Sequence, residues 1–328
     1  MLKKYRKYIV ENRATIYIST IVALIIRFLL FESGNVPAIA ESGLIWNIVS
    51  PVLSVGYVSF FVSFVLSIGI AILISGLNDK FTIIRVKTYL PYVFFILLSS
   101  IVPSFVLATP SHISLFLVLL SVFALFNSYQ EKEVAANSFR IGFLLALGSL
   151  FSFYSIVYLP LFWFGFYIMK SFSIKTIISS LLGVLAIYWL FSFYLLFRDE
   201  FLYTLNSILE ESKDIALLDI AQMKESVWFI LSATVLFLSI VMVKNYINEF
   251  KNKIKVRCYI SFLNVTVVFS LFLYVAFSFE ANISLMVFLS MFAVIAANYF
   301  ALIERKTEII FFIFSSVLYF LLMAFLIL

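Results

Sequence analysis

Arg27 is the only charged residue inside a long apolar run of this chain, and it is the first candidate for chemistry. An ionisable group at membrane depth is expensive to keep there and marks a functional site by default. Its planar fork of donors matches a phosphate or pyrophosphate better than a lysine would. A second reading competes. Arg27 lies four residues before Phe31, about 6 Å along a helix, so a long side chain can snorkel to the headgroups. There it would anchor the helix or pair with Glu32 or Glu41. Those two are the only acids in the segment 32–51. A carboxylate held against apolar surface can have a raised pKa and serve as a general base. Glu41 is the better placed, because it shortly precedes the apolar stretch Leu44–Val49. Both acids are explained as simply by solubilising charge.

Other candidates are thinner. Arg198, in Arg198-Asp199-Glu200, follows an apolar run and is either a second cation for a phosphate or an interface stop. His112, after Pro110 and Ser111, reads as an interfacial histidine at a helix start. Cys258, the single cysteine, reads as a small apolar residue. One His and one Cys give no cluster for zinc or haem, so neither a metal nor a cofactor is expected. There is no phosphate-cradling glycine loop, no HExxH and no Ser–His–Asp order with a glycine elbow.

The elements that must carry these residues are apolar helices. Hydrophobic residues make up 64% of the chain and charged residues 12%, a composition that excludes an ordinary soluble domain. The runs are too long for barrel strands. The spacing predicts eleven membrane segments, near 14–31, 52–77, 89–102, 113–128, 141–152, 154–169, 176–197, 227–243, 258–278, 283–303 and 309–328. The fold class expected is an all-α polytopic transmembrane bundle. The stretch 141–169 reads as a hairpin of two short helices turning near Ser152–Ser155, with one long tilted helix as the alternative. The opening MLKKYRKYIVENR, with no small-residue cleavage site after its apolar run, reads as a retained signal anchor.

Charge fixes the expected orientation. The links 1–13, 78–88, 129–140, 170–175, 244–257 and 304–308 hold 19 of the 23 Lys/Arg. The alternate links 32–51, 103–112, 198–226 and 279–282 hold 3 Lys/Arg but 10 of the 17 Asp/Glu. Basic links stay in the cytoplasm, so the N-terminus is expected inside and the C-terminus outside. The net charge of +6 reflects this sorting, and nucleic acid is not an expected partner. Lys251, Lys253, Lys255 and Arg257 are expected to touch anionic lipid. In the first external link, Trp46 is expected at headgroup depth. The other long link, 198–226, reads as an acidic amphipathic helix, a candidate surface for protein partners. The whole chain, 1–328, reads as one transmembrane domain, with 227–328 as a C-terminal four-helix part.

The segment Ile21–Glu41 (IVALIIRFLLFESGNVPAIAE) resembles the opening of membrane-embedded glycosyltransferases of the C superfamily. It has an apolar first helix, an arginine near the outer end and a loop containing an acid. Ser138–Leu161 (SFRIGFLLALGSLFSFYSIVYLPL) resembles the paired short helices of the same superfamily. Over roughly residues 1–200 the chain also resembles bacterial polytopic integral membrane proteins, a likeness that implies no activity. The superfamily resemblance implies a polyprenyl-phosphate-linked sugar as donor, transfer on the external face of a bacterial inner membrane, and an acid in the first loop as base. Carried onto this sequence, Glu41 is the base and Arg27 neighbours the phosphate; in the leading functional reading Arg198 joins Arg27 in stabilising the leaving phosphate. Where that superfamily usually carries an aspartate, often in an Asp-Glu pair, this chain has a solitary Glu41 after Ala40. Two other classes stay open: a non-catalytic scaffold or accessory subunit of an envelope assembly, and a transporter, which the absence of acids in the apolar runs disfavours.

Overall fold

The structure, a computed structural model, describes residues 2–34, 43–53, 55–131, 133–197, 225–277 and 282–327. Every regular element among them is helical. Short turns at Leu2–Tyr5 and Arg6–Val10 lead into α1 (Ala14–Glu32), α2 (Trp46–Leu53), α3 (Gly56–Phe81), α4 (Leu90–Ile101) and α5 (Pro110–Asn127). Then follow α6 (Ala135–Ser149), α7 (Leu159–Ile168), α8 (Ile174–Phe197), α9 (Glu225–Ile247), α10 (Ile254–Ala276), α11 (Asn282–Ala301) and α12 (Lys306–Ile327). Six of these, α1, α3, α5, α8, α10 and α11, are long and apolar enough to cross a membrane by length and composition. α4 and the stretches Phe153–Ile168 and Phe237–Ile247 are apolar but shorter.

The surface has the character of a multi-pass membrane protein. α1 exposes Ile18, Ile21, Ile25, Phe28 and Leu29, and α8 exposes Ile178, Leu182, Leu185 and Trp189. Water would not tolerate such continuous apolar faces, whereas lipid is their natural solvent. The interior, by contrast, holds many serines, as expected where helices pack through small residues and bond across. α11 is the central post, buried from Ile283 to Ala301 except for the half-buried Leu285, and packed on α4, α5, α9 and α10.

Prolines and left-handed residues punctuate the helices. Pro91, Pro110 and Pro160 stand in the first turns of α4, α5 and α7, where their missing N–H costs nothing. Thr82, Gln130 and Lys170 end or follow helices with positive φ. The stretch 141–169 is two helices and not one: α6 stops at Ser149, Ser152 is extended, and a 3-10 turn over Phe153–Tyr158 precedes α7. α6 then crosses α8 at closest range. A Cβ on Gly142 would sit 1.9 Å from the Ser180 carbonyl oxygen, and one on Gly183 would sit 2.3 Å from that of Phe139. Ser138 donates across the same crossing to the Thr176 carbonyl, and Trp163 Nε1 donates to Ser180 Oγ at 2.9 Å.

Several basic links meet one another or the helix ends beside them. Arg85 donates to Asn252 Oδ1 at 2.7 Å, Gln130 N to the Met169 carbonyl at 3.1 Å and Tyr5 to the Phe300 carbonyl at 3.0 Å. The basic run 251–257 binds protein as well. Lys251 pairs with Glu304 at 3.0 Å, Lys255 lies over the Tyr129 ring, and Arg257 donates to the Asn252 and Phe250 carbonyls. From the alternate links, Ile45 N donates to the Leu150 carbonyl at 3.0 Å, and Leu44 and Ile45 pack with Ala146, Leu150 and Ile187. Trp46 is therefore not a headgroup anchor. It is only 3% exposed, because Gly43, pressed against the Phe151 backbone, draws the segment onto the α6–α7 turn.

Candidate functional site

The site forms where α1, α3 and α4 meet. α3 carries Ser59, Ser63 and Ser67 at intervals of four, which puts the three hydroxyls on one face of the helix. That face is turned inward, and each serine has a task. Ser59 Oγ accepts from Ala108 N at 2.9 Å. Ser63 donates to the carbonyl of Val106 and Ser67 to that of Ser63. On α4, Ser100 donates to the Ile96 carbonyl at 2.6 Å. The hydroxyl hydrogens of Ser63, Ser67 and Ser100 are already placed, so those three oxygens are left as acceptors.

Arg27 fills that acceptor cage. Its Nε donates to Ser100 Oγ at 3.0 Å, Nη1 to Ser63 Oγ at 3.4 Å and Nη2 to Ser67 Oγ at 2.8 Å. The guanidinium also lies 5.7 Å from the Phe64 ring centroid. The residue is 0% exposed. Five N–H donors meet three serine oxygens here, so two donors have no partner among the described residues.

Snorkelling and the Glu32 pair, both expected from sequence position, do not occur. Glu32 is exposed, and the single ion pair among the described residues is Lys251–Glu304. The outlet explains why. One turn beyond Arg27 on α1, Phe31 packs on Tyr57 and Phe60 of α3 at centroid distances of 5.2 and 5.3 Å. These rings plug the α1–α3 seam between the guanidinium and the helix end. Elsewhere that seam is sparse, since α1 leans mainly on α4, and the Arg27 side chain is what bridges it.

His112 belongs to the same neighbourhood. It is the third residue of α5 and forms a capping box with Thr109. Thr109 N donates to Nδ1 at 3.3 Å, and Thr109 Oγ1 lies 2.9 Å from the same nitrogen. A neutral ring accepting there carries its proton on Nε2, and that buried atom has no partner among the described residues. The segment Val106–Thr109 ties the start of α5 to the serine face of α3, through Ser63 and Ser59. His112 is thus fully buried and not interfacial, because it satisfies the start of α5 from within.

Among the expected site residues, Glu41 and Arg198 lie outside the described residues, as does most of the acidic link 198–226. The serine cage was missed by sequence reasoning. Its readable signal was the spacing of Ser59, Ser63 and Ser67, facing an arginine one helix earlier. No group of three or more His, Cys, Asp or Glu is arranged to hold a metal among the described residues.

The arrangement is a buried guanidinium with no carboxylate within ion-pair distance among the described residues. Removing an unpaired cation from water costs several kcal/mol even after relaxation. No protein-family model, curated protein or solved structure matches the chain.

Proposed function

We propose that this chain is a multi-pass protein of a bacterial inner membrane that binds the phosphate of a lipid-linked sugar at Arg27, near the external face, and transfers the sugar. The observation that carries the phosphate site is a fully buried arginine with three serine acceptors and no carboxylate within ion-pair distance among the described residues. A phosphate offers the two spare guanidinium donors the oxygens they lack, and His112 Nε2–H is a further donor in the same region. The sparse α1–α3 seam is the route of entry, with Phe31, Tyr57 and Phe60 as the part that must yield.

Glycosyl transfer adds the resemblance of Ile21–Glu41 and Ser138–Leu161 to the C superfamily. In that step Glu41 takes the proton of the acceptor hydroxyl while its oxygen attacks the anomeric carbon. The carbon–oxygen bond to phosphate breaks, and its electron pair goes to the phosphate oxygen, whose charge Arg27 stabilises with Arg198 as a second cation. The orientation proposed, with eleven membrane segments, N-terminus inside and C-terminus outside, is supported by the sorting of 19 of 23 Lys/Arg onto alternate links.

The test is sugar transfer from a polyprenyl-phosphate donor by purified protein, comparing wild type with Glu41→Gln and Arg27→Met. Loss in both is expected. Transfer retained in both refutes the catalytic reading. Donor binding retained with no transfer in any form would leave a non-catalytic lipid-binding scaffold.

A further inference from the structure

A second lipid-facing feature lies at the opposite ends of these helices. α5 and α6 enclose a groove of about 420 Å³. Its walls are Leu120 and Phe123 from α5 and Phe139 and Phe143 from α6, and Asn127 and Arg140 also line it. Asn127 is the last residue of α5, and Arg140 is in the second turn of α6. Lys80, next to the last residue of α3, brings its ammonium 5.7 Å from the Phe123 ring centroid. The polar groups are therefore gathered where the links 78–88 and 129–140 emerge. From there the apolar wall runs inward from Asn127 to Leu120, about 10 Å at 1.5 Å per residue.

The charges at this end are unbalanced. Neither Arg140 nor Lys80 forms an ion pair among the described residues. Lys80 rests on the aromatic faces of Phe81 and Phe123. The nearby acids are turned to other partners or to the outside: Asp79 accepts from Asn78 at 3.4 Å, and Glu131 and Glu133 are exposed. Arg140, Asn127 and Phe139 are themselves exposed, so the groove is open along its side. In a membrane that side faces acyl chains.

We infer that this groove is a binding site for one anionic glycerophospholipid of the leaflet on the side of the basic links. Its phosphate sits between Arg140 and Lys80, with Asn127 as an amide donor, and an acyl chain lies along Phe123, Phe139 and Phe143. Charge complementarity selects this occupant. Any lipid can supply the chain, but two cations without a carboxylate favour a headgroup carrying net negative charge. Each basic residue at such a surface is worth about 1 kcal/mol, roughly a five-fold change in affinity. The site is independent of Arg27 and of the reading given to it.

The experiment is native mass spectrometry of the purified full chain, delipidated in non-ionic detergent and titrated with phosphatidylglycerol or phosphatidylcholine. Wild type is expected to retain one phosphatidylglycerol in preference to phosphatidylcholine. Arg140→Gln or Lys80→Gln should weaken that retention roughly five-fold each, and the double variant about 25-fold. Leu120→Trp keeps both cations but fills the groove, and it should also displace the lipid. Thermal unfolding of each variant confirms that it is folded. Equal retention of both lipids by wild type, undiminished retention in the double variant, or full retention in Leu120→Trp would each overturn the assignment.

Discussion

Arg27→Met separates two accounts of the serine cage that look alike in a static structure. In one, Ser63, Ser67 and Ser100 are the guanidinium's sufficient partners and the cluster is structural. Three charge-assisted bonds at about 1.5–3 kcal/mol each then disappear on substitution, a loss of roughly 4–9 kcal/mol. In the other, the cage is an anion site, and without a bound anion the arginine is a liability of several kcal/mol. The geometry favours the second. Every serine in the cage already donates to a carbonyl, those of Ile96, Val106 and Ser63, so removing Arg27 strands no hydroxyl hydrogen. Methionine also fills similar space beside Phe64 without a charge. The lost bonds and the relieved desolvation nearly cancel, and the ligand-free protein should keep its stability to within about 2 kcal/mol. The assay is thermal unfolding of delipidated protein in non-ionic detergent. A midpoint within a few degrees of wild type, or above it, is expected. At about 2 °C per kcal/mol, a fall of roughly 10 °C or more would refute the reasoning. Ser67→Ala sharpens the test. It should cost about 1–3 kcal/mol with Arg27 present and almost nothing in the Arg27→Met background, a coupling that a double-mutant cycle measures.

Phe31→Ala should open the plug made with Tyr57 and Phe60. A cysteine at position 27, in a chain whose Cys258 is replaced by serine, would then react faster with a water-soluble thiol reagent; an unchanged rate would show that the rings do not control access. Gly142→Ala should destabilise the protein by about 1–3 kcal/mol, because its Cβ would meet the Ser180 carbonyl at 1.9 Å. Gly69→Ala, with nothing within 4 Å of its Cβ, should be neutral or stabilising by up to about 1 kcal/mol, and equal midpoints for the two would contradict the close α6–α8 crossing. His112→Ala removes the acceptor for Thr109 N at the start of α5 and should cost about 1–2 kcal/mol; unchanged thermal unfolding would argue against the capping role.

The helices were legible from the sequence for simple reasons. Apolar runs end at charged links, and Pro91, Pro110 and Pro160 fix where α4, α5 and α7 begin, so a helix lies in each of the eleven stretches read as segments. Six of those helices are long and apolar enough to cross a membrane by length and composition. The interruption between α6 and α7 was likewise readable from a run too long for one span. What the sequence did not show was direction. Distance along α1 places Arg27 within reach of the headgroups, yet the side chain turns inward, because Phe31 and the rings of α3 close the outward path. The inward serines belong to two other helices, and no local pattern on α1 announces them. Gly142 and Gly183 carry no local signal for the same reason, since they meet only when α6 is laid against α8. Trp46 followed the rule for interfacial aromatics until Gly43 and Ile45 tied its segment to the α6–α7 turn. Glu41 and Arg198 fall outside the described residues, so their part in the proposal rests on chemistry and resemblance.

The most direct measurement is equilibrium binding of polyprenyl monophosphate to the protein in phosphatidylcholine nanodiscs, wild type against Arg27→Met and Arg27→Lys. Saturable binding by wild type, weakened in the lysine variant and lost in the methionine variant while both remain folded, is the expected result. Binding of the same affinity in Arg27→Met, or none in wild type, would contradict the central claim that the buried guanidinium is an anion site.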